Sequence, residues 1–524
     1  MGTLRCWLLS LVSLATVYGW QIESVAVQSL GAHGMSATGI FDIDGDSMPE
    51  LLVPGNSRLY CFDQSGGLRW SFAPVSNYFP AVSSPVAADI DRDGDVEIVV
   101  SSPAAVYVLN QNGDSVWRRM LAGQGAVQNC ISSVALVDIN RDSLLEILCY
   151  EVYANRLLCL KPLNGDTIWT YVPGGSPMFS VGTPTAADID LDGWIEVIGQ
   201  VAWNGGGGQL YCLDDSGREL WHFDTPGSSI SGWQLGSAAV ADVNGDDSLE
   251  VITTANYWGI VCLSCRGRQL WRRAISEHAA SYVAVADVDR DDTLEIVVAL
   301  GPSIRCFSAP TGRDKWSFTV ATGYYIVASP GLADLDGDGR LEVLFAEVKQ
   351  NNPADTSRPA WVLNCYGQPL WNDTIGTTMA DPTAGDVDGD GRIDFFFGPT
   401  MRRGNWCWYE VDTAVSAGRI YWPTLQHDVW RSGWYGYRGP QVAVSEKRAG
   451  SDRRTRVGPN PFSSRLNTDI STASELEFYD AAGRRVMATR VSGAAVVDCQ
   501  QLKAGVYFCR LDGSCSAMRV VRVR

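Results

Sequence analysis

The stretch DLDGDGRLE, Asp334 to Glu342, recurs in recognisable form eight times along a chain of 524 residues. Carboxylates at positions 1, 3 and 5 of a tight turn project inward together, Gly339 at position 6 permits a sharp bend, and the acid at position 9 returns to the same point. Such a loop can enclose a hard cation with oxygen ligands. The other copies are FDIDGDSMPE (ending at Glu50), DIDRDGDVE (Asp89 to Glu97), DINRDSLLE (Asp138 to Glu146), DIDLDGWIE (Asp188 to Glu196), DVNGDDSLE (Asp242 to Glu250), DVDRDDTLE (Asp287 to Glu295) and DVDGDGRID (Asp386 to Asp394). Their first aspartates lie 47, 49, 50, 54, 45, 47 and 52 residues apart. A period near 50 residues signals propeller blades or a solenoid.

Every copy keeps a side-chain oxygen at four places. Position 1 is Asp42, Asp89, Asp138, Asp188, Asp242, Asp287, Asp334 and Asp386; position 3 is Asp44, Asp91, Asn140, Asp190, Asn244, Asp289, Asp336 and Asp388. Position 5 is Asp46, Asp93, Asp142, Asp192, Asp246, Asp291, Asp338 and Asp390; position 9 is Glu50, Glu97, Glu146, Glu196, Glu250, Glu295, Glu342 and Asp394. Acid-rich turns can merely solvate strand ends. Acids in 30 of 32 aligned places, however, repel one another unless something compensates them. Several structural Ca2+ ions are therefore expected, and Mg2+ suits the loops less well because it demands stricter geometry. Position 6 departs from glycine at Ser47, Ser143, Asp247 and Asp292, where a left-handed backbone costs about 1 kcal/mol.

A second marker runs in phase with the first. A glycine turn followed by tryptophan appears 28 to 37 residues after each loop begins: GGLRW (Trp70), GDSVW (Trp117), GDTIW (Trp169), GRELW (Trp221), GRQLW (Trp271), GRDKW (Trp316), GQPLW (Trp371) and GRIYW (Trp422). Between the markers lie short runs rich in β-branched and aromatic residues, such as EIVV, VYVLN and SVWRRM, with no helical period of useful length. Each unit thus offers four strands, and eight units predict an all-β, eight-bladed β-propeller. A seven-bladed ring with one irregular unit is the alternative. Either the strand following Trp20 or GRIYW could complete the last blade.

A hydrophobic share of 46% excludes general disorder, and a formal charge of -18 makes nucleic acid or an anionic membrane a poor partner. Residues 1–19 carry Arg5, an apolar run from Cys6 to Val17 and Gly19, the pattern of a secretory signal peptide. No later stretch reaches the roughly 20 apolar residues of a membrane helix, so a soluble extracellular or surface monomer is expected. Cys61, Cys159, Cys212, Cys262 and Cys306 occupy one strand position in successive units. Blade spacing would hold them too far apart for disulfides, and small buried hydrophobes are the expected role.

After Trp422 comes the aromatic segment WPTLQHDVWRSGWYGY, then a polar linker, 438–456, containing SEKRAGSDRRTR. Residues 457–524 change character, with short alternating segments and turns that predict a separate small β-sandwich. Fifteen basic against eight acidic residues follow from Arg438 onward, leaving 51 acids and 26 bases before it. Divalent ions in the loops would offset much of that imbalance.

The acidic loops resemble the FG-GAP/VCBS repeats of integrin-α-like propellers over residues 20–437, and the glycine-tryptophan marker resembles quinoprotein-type repeats. In the integrin-like pattern, positions 1, 3, 5 and 9 supply side-chain oxygens to Ca2+ and position 7 a backbone carbonyl. The tail, with GPNPF (Gly458 to Phe462), LEFYDAAGRRV (Leu476 to Val486) and LKAGVYFCRL (Leu502 to Leu511), is similar to the C-terminal sorting domain of type IX secretion cargo. That resemblance implies export through the type IX machinery. Some polysaccharide lyases use Ca2+-bearing eight-bladed propellers, so a polysaccharide-active enzyme is the alternative to a binding or adhesion module.

Strand alternation places the acidic loops and the glycine turns on one face. The opposite loops carry aromatics, Tyr78, Trp203, Trp233, Trp258, Tyr324, Tyr325 and Trp406, which suit recognition of an extracellular glycan or protein or else pack the loops down. Four histidines and no GxSxG elbow leave no catalytic candidate.

Overall fold

A computed structural model describes residues 22–29, 36–55, 58–74, 82–121, 132–174, 178–203, 207–225, 237–246, 248–255, 258–278, 281–321, 324–349, 359–376, 378–398, 405–412, 420–422, 456–458, 465–479, 485–498, 505–511 and 517–522. Its contacts divide the chain into two units, Met1–Val442 and Ala443–Arg524.

The first unit is an eight-bladed propeller whose blades are antiparallel sheets of four strands, with a fifth strand added in blades 4 and 7. Blade 1 runs Gly39–Phe41, Glu50–Pro54, Leu59–Phe62 and Leu68–Phe72 from the innermost strand outward. Blades 2 to 7 repeat that order over residues 86–120, 135–171, 185–225, 239–273, 284–319 and 331–374. In each, the acidic loop joins the first strand to the second and the glycine turn joins the third to the fourth. Antiparallel pairing therefore brings both to one face.

The last blade takes its strands from both ends of the unit. Thr383–Gly385, Asp394–Phe397 and Asn405–Val411 supply three strands, and Ile22–Ser29 adds the fourth. The N-terminal strand is thus the one that closes the ring. Ile420–Trp422, the last glycine-tryptophan marker, instead pairs with the innermost strand of blade 7, Leu332 with Trp422 and Ala333 with Ile420. Sequence spacing alone could not choose between the two strands, because both lie one blade-length from their neighbours.

The core is not one cluster but a series of layers between adjacent blades, for example Ile98, Val100 and Tyr107 of blade 2 against Phe41, Leu52 and Cys61 of blade 1. Second and third strands are sandwiched on both sides, so Glu97–Ser101 and Ala105–Leu109 are buried throughout. Fourth strands form the rim, and Ser115–Met120 alternates exposed and half-buried. Nine cysteines among the described residues are free, eight of them buried. Burial pushes the Cys61 thiol up to about 12, which suits a small hydrophobe better than a redox group.

The tryptophan and glycine markers are two halves of one contact. The indole Nε1 of Trp70, Trp117, Trp169, Trp221, Trp271 and Trp316 donates to a carbonyl in the next blade's turn, at 2.7 to 3.0 Å. Beneath each ring lies that turn's glycine, at Gly113, Gly165, Gly217, Gly267, Gly312 and Gly367, with φ between +63° and +80°. A Cβ on any of them would sit 2.5 to 2.7 Å from the ring. Among the described residues Trp371 rests on no such turn, since blade 8 receives its fourth strand from elsewhere; it packs edge-on against Phe395 and Tyr409. At the closing interface, Ala26 stands in register where the other blades have tryptophan, opposite Trp408 where they have Cys or Val. Trp406 is stacked between Phe62 and Phe396, and Thr383 Oγ1 donates to Thr38 O. Aromatic packing there replaces the latch.

The second unit pairs Arg456–Gly458, Arg465–Tyr479, Arg485–Asp498, Gly505–Leu511 and Ala517–Arg522 in one five-stranded antiparallel sheet.

Candidate metal centres

Each acidic loop is held open by its own acids. The position-1 aspartate accepts the position-6 N–H through Oδ2, as in Asp42 with Ser47, Asp89 with Gly94, Asp138 with Ser143, Asp188 with Gly193, Asp287 with Asp292, Asp334 with Gly339 and Asp386 with Gly391. The position-5 aspartate accepts the position-7 N–H in all eight loops. One oxygen of the position-9 acid accepts the position-2 N–H in all eight, from Ile43 with Glu50 to Val387 with Asp394. These bonds shape the turn while leaving the partner oxygens turned inward.

Those inward oxygens converge. Carboxylate oxygens of Asp42, Asp44 and Glu50, of Asp89, Asp91 and Glu97, of Asp188, Asp190 and Glu196, of Asp334, Asp336 and Glu342, and of Asp287, Asp289, Asp291 and Glu295 lie within 4.8 Å of one another in each set. Among these five sets, position 5 joins the cluster in blade 6. Asp89, Asp138, Asp188 and Asp334 each have a buried Oδ1 that meets no well-aligned donor, and Asp334 as a residue is only 4% exposed. An anionic oxygen buried without a partner is costly, and a cation removes that cost. The donor set is all oxygen, as a hard cation requires. Several of these clusters could therefore hold a metal ion.

Electrostatics agree with geometry. Burial, reinforced by the aspartates around them, pushes the position-9 carboxyls far above the ordinary value: Glu97 and Glu196 to about 8, and Glu146, Glu250 and Glu295 to about 7. Glu342 is likewise raised well above the ordinary value, for the same reason. Asp394 is pushed to about 7 by burial, although Trp408 Nε1 and Val387 N–H both donate to it. Its Oδ1, the counterpart of the inward oxygen elsewhere, is occupied by that indole, so the position-9 acid of blade 8 is a weaker ligand than one whose inward oxygen is free.

Backbone conformation bears on the position-6 expectation. Ser47, Ser143 and Asp292 adopt φ of +73°, +77° and +65°, the left-handed region that their glycine counterparts also occupy; Asp247 lies outside the described residues. Position 4 is left-handed as well, at Gly45, Arg92, Arg141, Leu191, Gly245, Arg290, Gly337 and Gly389. Sequence reading missed this, although glycine at half of these positions was a usable signal. Arg141 and Arg290 also reach the following blade's loop, Arg141 over the Trp194 ring at 4.1 Å and Arg290 donating to Asp338 O.

Two further residues were not anticipated. Arg69 donates to Asp44 Oδ2 at 2.8 Å and to Glu50 Oε1 at 2.5 Å. Lys315 Nζ lies 2.8 Å from Asp289 Oδ2, 3.2 Å from Asp291 Oδ2 and 2.9 Å from Glu295 Oε1. Both immediately precede a marker tryptophan, the place where a cation among apolar equivalents was legible.

The aromatic candidates on the opposite loops divide differently. Trp406 belongs to the core: it is 0% exposed, and its Nε1 donates to Thr38 Oγ1. The segment NWCWYEV looked like an exposed loop but forms the third strand of blade 8, packed on both faces. Trp258 is half-buried against Phe223, with Arg272 over its ring at 4.2 Å. Trp203 and Tyr325 are also half-buried, and Tyr324 with Tyr325 pairs with Val348–Lys349 in a two-stranded ribbon. Tyr78, Trp233 and the side chain of Tyr324 lie outside the described residues.

This geometry defines a propeller of repeats that each carry an acidic loop. Residues 42–100 and 89–149 match the FG-GAP-like repeat, and residues 456–520 match the secretion system C-terminal sorting domain. The chain thus carries FG-GAP-like repeats within an eight-bladed β-propeller, together with a type IX sorting domain, the mark of export to the cell surface or extracellular space. Residues 206–381 also match the model of the outer membrane protein assembly factor BamB. Among solved structures, the chain is similar to Saccharomyces cerevisiae Sqt1, at 10% identity over 74% of this chain and 98% of that one, with a TM-score of 0.51. It is also similar to BamB from Moraxella catarrhalis, at 13% identity over 74% and 99%, TM-score 0.49. The V. cholerae biofilm matrix protein Bap1 matches at 15% identity over 77% and 94%, TM-score 0.41. Such identities carry the fold alone. No curated protein sequence matches the chain. No helix among the described residues is long and apolar enough to cross a membrane.

Proposed function

We propose that this protein is a Ca2+-stabilised extracellular propeller that binds a glycan or protein ligand through the loops opposite its acidic face. On this reading residues 1–19 are a cleaved signal peptide, 20–437 the propeller, 438–456 a linker and 457–524 the export tail. The observation that carries it is the repeated buried oxygen of the position-1 aspartate, which has no well-aligned donor in four blades. In blade 7, Asp334, Asp336 and Glu342 would hold the ion, with Asp338 completing the loop. The ion would supply charge compensation, letting buried carboxylates stay ionised while they tie the first strand to the second.

Because every blade repeats the loop, its work is structural, and recognition belongs to loops that differ between blades. Melting temperature in Ca2+ against chelator tests the scaffold role, and no difference sinks it. Glycan-array binding without turnover supports the module. Release of unsaturated sugar from an acidic polysaccharide overturns it in favour of an enzyme.

A further inference from the structure

The fourth strand of every blade carries a bulge one residue before the marker tryptophan position. Cys61 pairs with Trp70 and Phe62 with Leu68, so Arg69 is the bulged residue; Lys315 has the same place between Asp314 and Trp316. This residue lies beside the acidic loop of its own blade. Its equivalents are Val116, Ile168, Leu220, Leu270 and Leu370, with Val25 in the closing strand. None of those six side chains can neutralise a carboxylate.

We propose that Arg69 and Lys315 are tethered cations that take the place of the metal, so that the loops of blades 1 and 6 are closed without one and the propeller holds at most six ions. This rests on the calcium reading of the other loops. Lys315 Nζ meets three carboxylates within 3.2 Å, so the point where their oxygens converge is already held by a cation, although Asp289 Oδ1 is still buried without a well-aligned donor. Around it, and in no other set given above, the position-5 acid is drawn into the cluster. Arg69 bridges positions 3 and 9 in the same way. Blade 2 shows the contrast: with Val116 at the bulge, a cavity of about 320 Å³ opens between Asp91, Asp93, Glu97 and the turn Asn110–Asn112. There the acids face open space instead of an ammonium group. A tethered cation carries one charge where Ca2+ carries two, but its entropy is already spent when the strand forms, and chelators cannot remove it.

Bound metal per chain, measured on the full-length protein after dialysis against CaCl2, tests this. The wild type is expected to bind six Ca2+ or fewer, and Lys315→Met, which keeps the aliphatic stem, gains one. Asp289→Ala in the wild-type background leaves the count unchanged, whereas Asp336→Ala in blade 7 loses one, since alanine, unlike the asparagine found at this place in blades 3 and 5, offers no oxygen. The alanine pair decides the matter even if Lys315→Met does not fold. A count of seven or eight, loss of an ion in Asp289→Ala, or a folded Lys315→Met with no gain overturns the proposal. A wild type that binds no Ca2+ instead refutes the calcium reading itself and removes the basis for this one.

Discussion

The raised position-9 carboxyls make the effect of calcium depend on pH, in a direction that can be worked out. An acid whose folded pKa lies above its unfolded value stabilises the fold below the unfolded value, and that stability is lost as pH rises through the folded one. For Glu97 and Glu196 the window therefore runs from the ordinary carboxyl value of 4.5 to about 8. One such group costs the metal-free fold about 3 kcal/mol at pH 7 compared with pH 4. Asp63 and Asp214, where burial is outweighed by the combined donors of Ser65 and Gly67 or of Ser216 and Arg218 and by a nearby arginine, are lowered and act in the opposite sense, but only at more acidic pH. With chelator present, stability should thus fall between pH 5 and pH 8. Calcium should reverse that fall at pH 8, since a free concentration 100-fold above Kd contributes about 2.7 kcal/mol per site. At pH 5 the ion must displace protons and its effect should be small. Thermal unfolding at pH 5 and pH 8, with CaCl2 and with chelator, measures all four corners. A calcium shift equal at both values, or metal-free stability that rises with pH across this range, would refute the reasoning.

Three other outcomes follow from the packing. Gly267→Ala forces a methyl to 2.5 Å from the Trp221 ring at φ +73° and should destabilise by about 2–4 kcal/mol in urea unfolding. Trp406→Ala empties the closing interface, which has no tryptophan latch; about 3–5 kcal/mol should be lost, with ligand binding at permissive temperature unchanged. Ser143→Gly relieves a left-handed serine at φ +77° and should gain about 0.5–1 kcal/mol, read as a raised melting temperature in the presence of Ca2+.

Blade number, the shared face of acidic loops and glycine turns, and the burial of the cysteine position were all legible in the sequence, because each depends on a pattern repeated once per blade. What was not legible depends on one blade meeting another. The Trp221 ring lies on Gly267, in the following repeat. Nothing within a single repeat reveals that the two markers are one contact. Lys315 and Arg69 were visible as charges among apolar equivalents, but their meaning required knowing that the bulge faces the acidic loop. Trp406 misled because aromatic residues spaced by one, as in Trp406 and Trp408, read equally as an exposed loop and as a strand buried on both faces; burial settled it.

The strand from Ile22 to Ser29 has a consequence for how the protein is made. Ser29 pairs with Asn405, 376 residues later, so this strand waits unpaired until blade 8 has emerged. Loop-closure entropy rises only slowly with such a distance, but the contact is among the least local possible and should form late. Until then two sheet edges stay open, each a template for pairing with another chain. The sorting domain follows the last blade, so any chain long enough to present its export signal already contains every strand needed to seal its own ring.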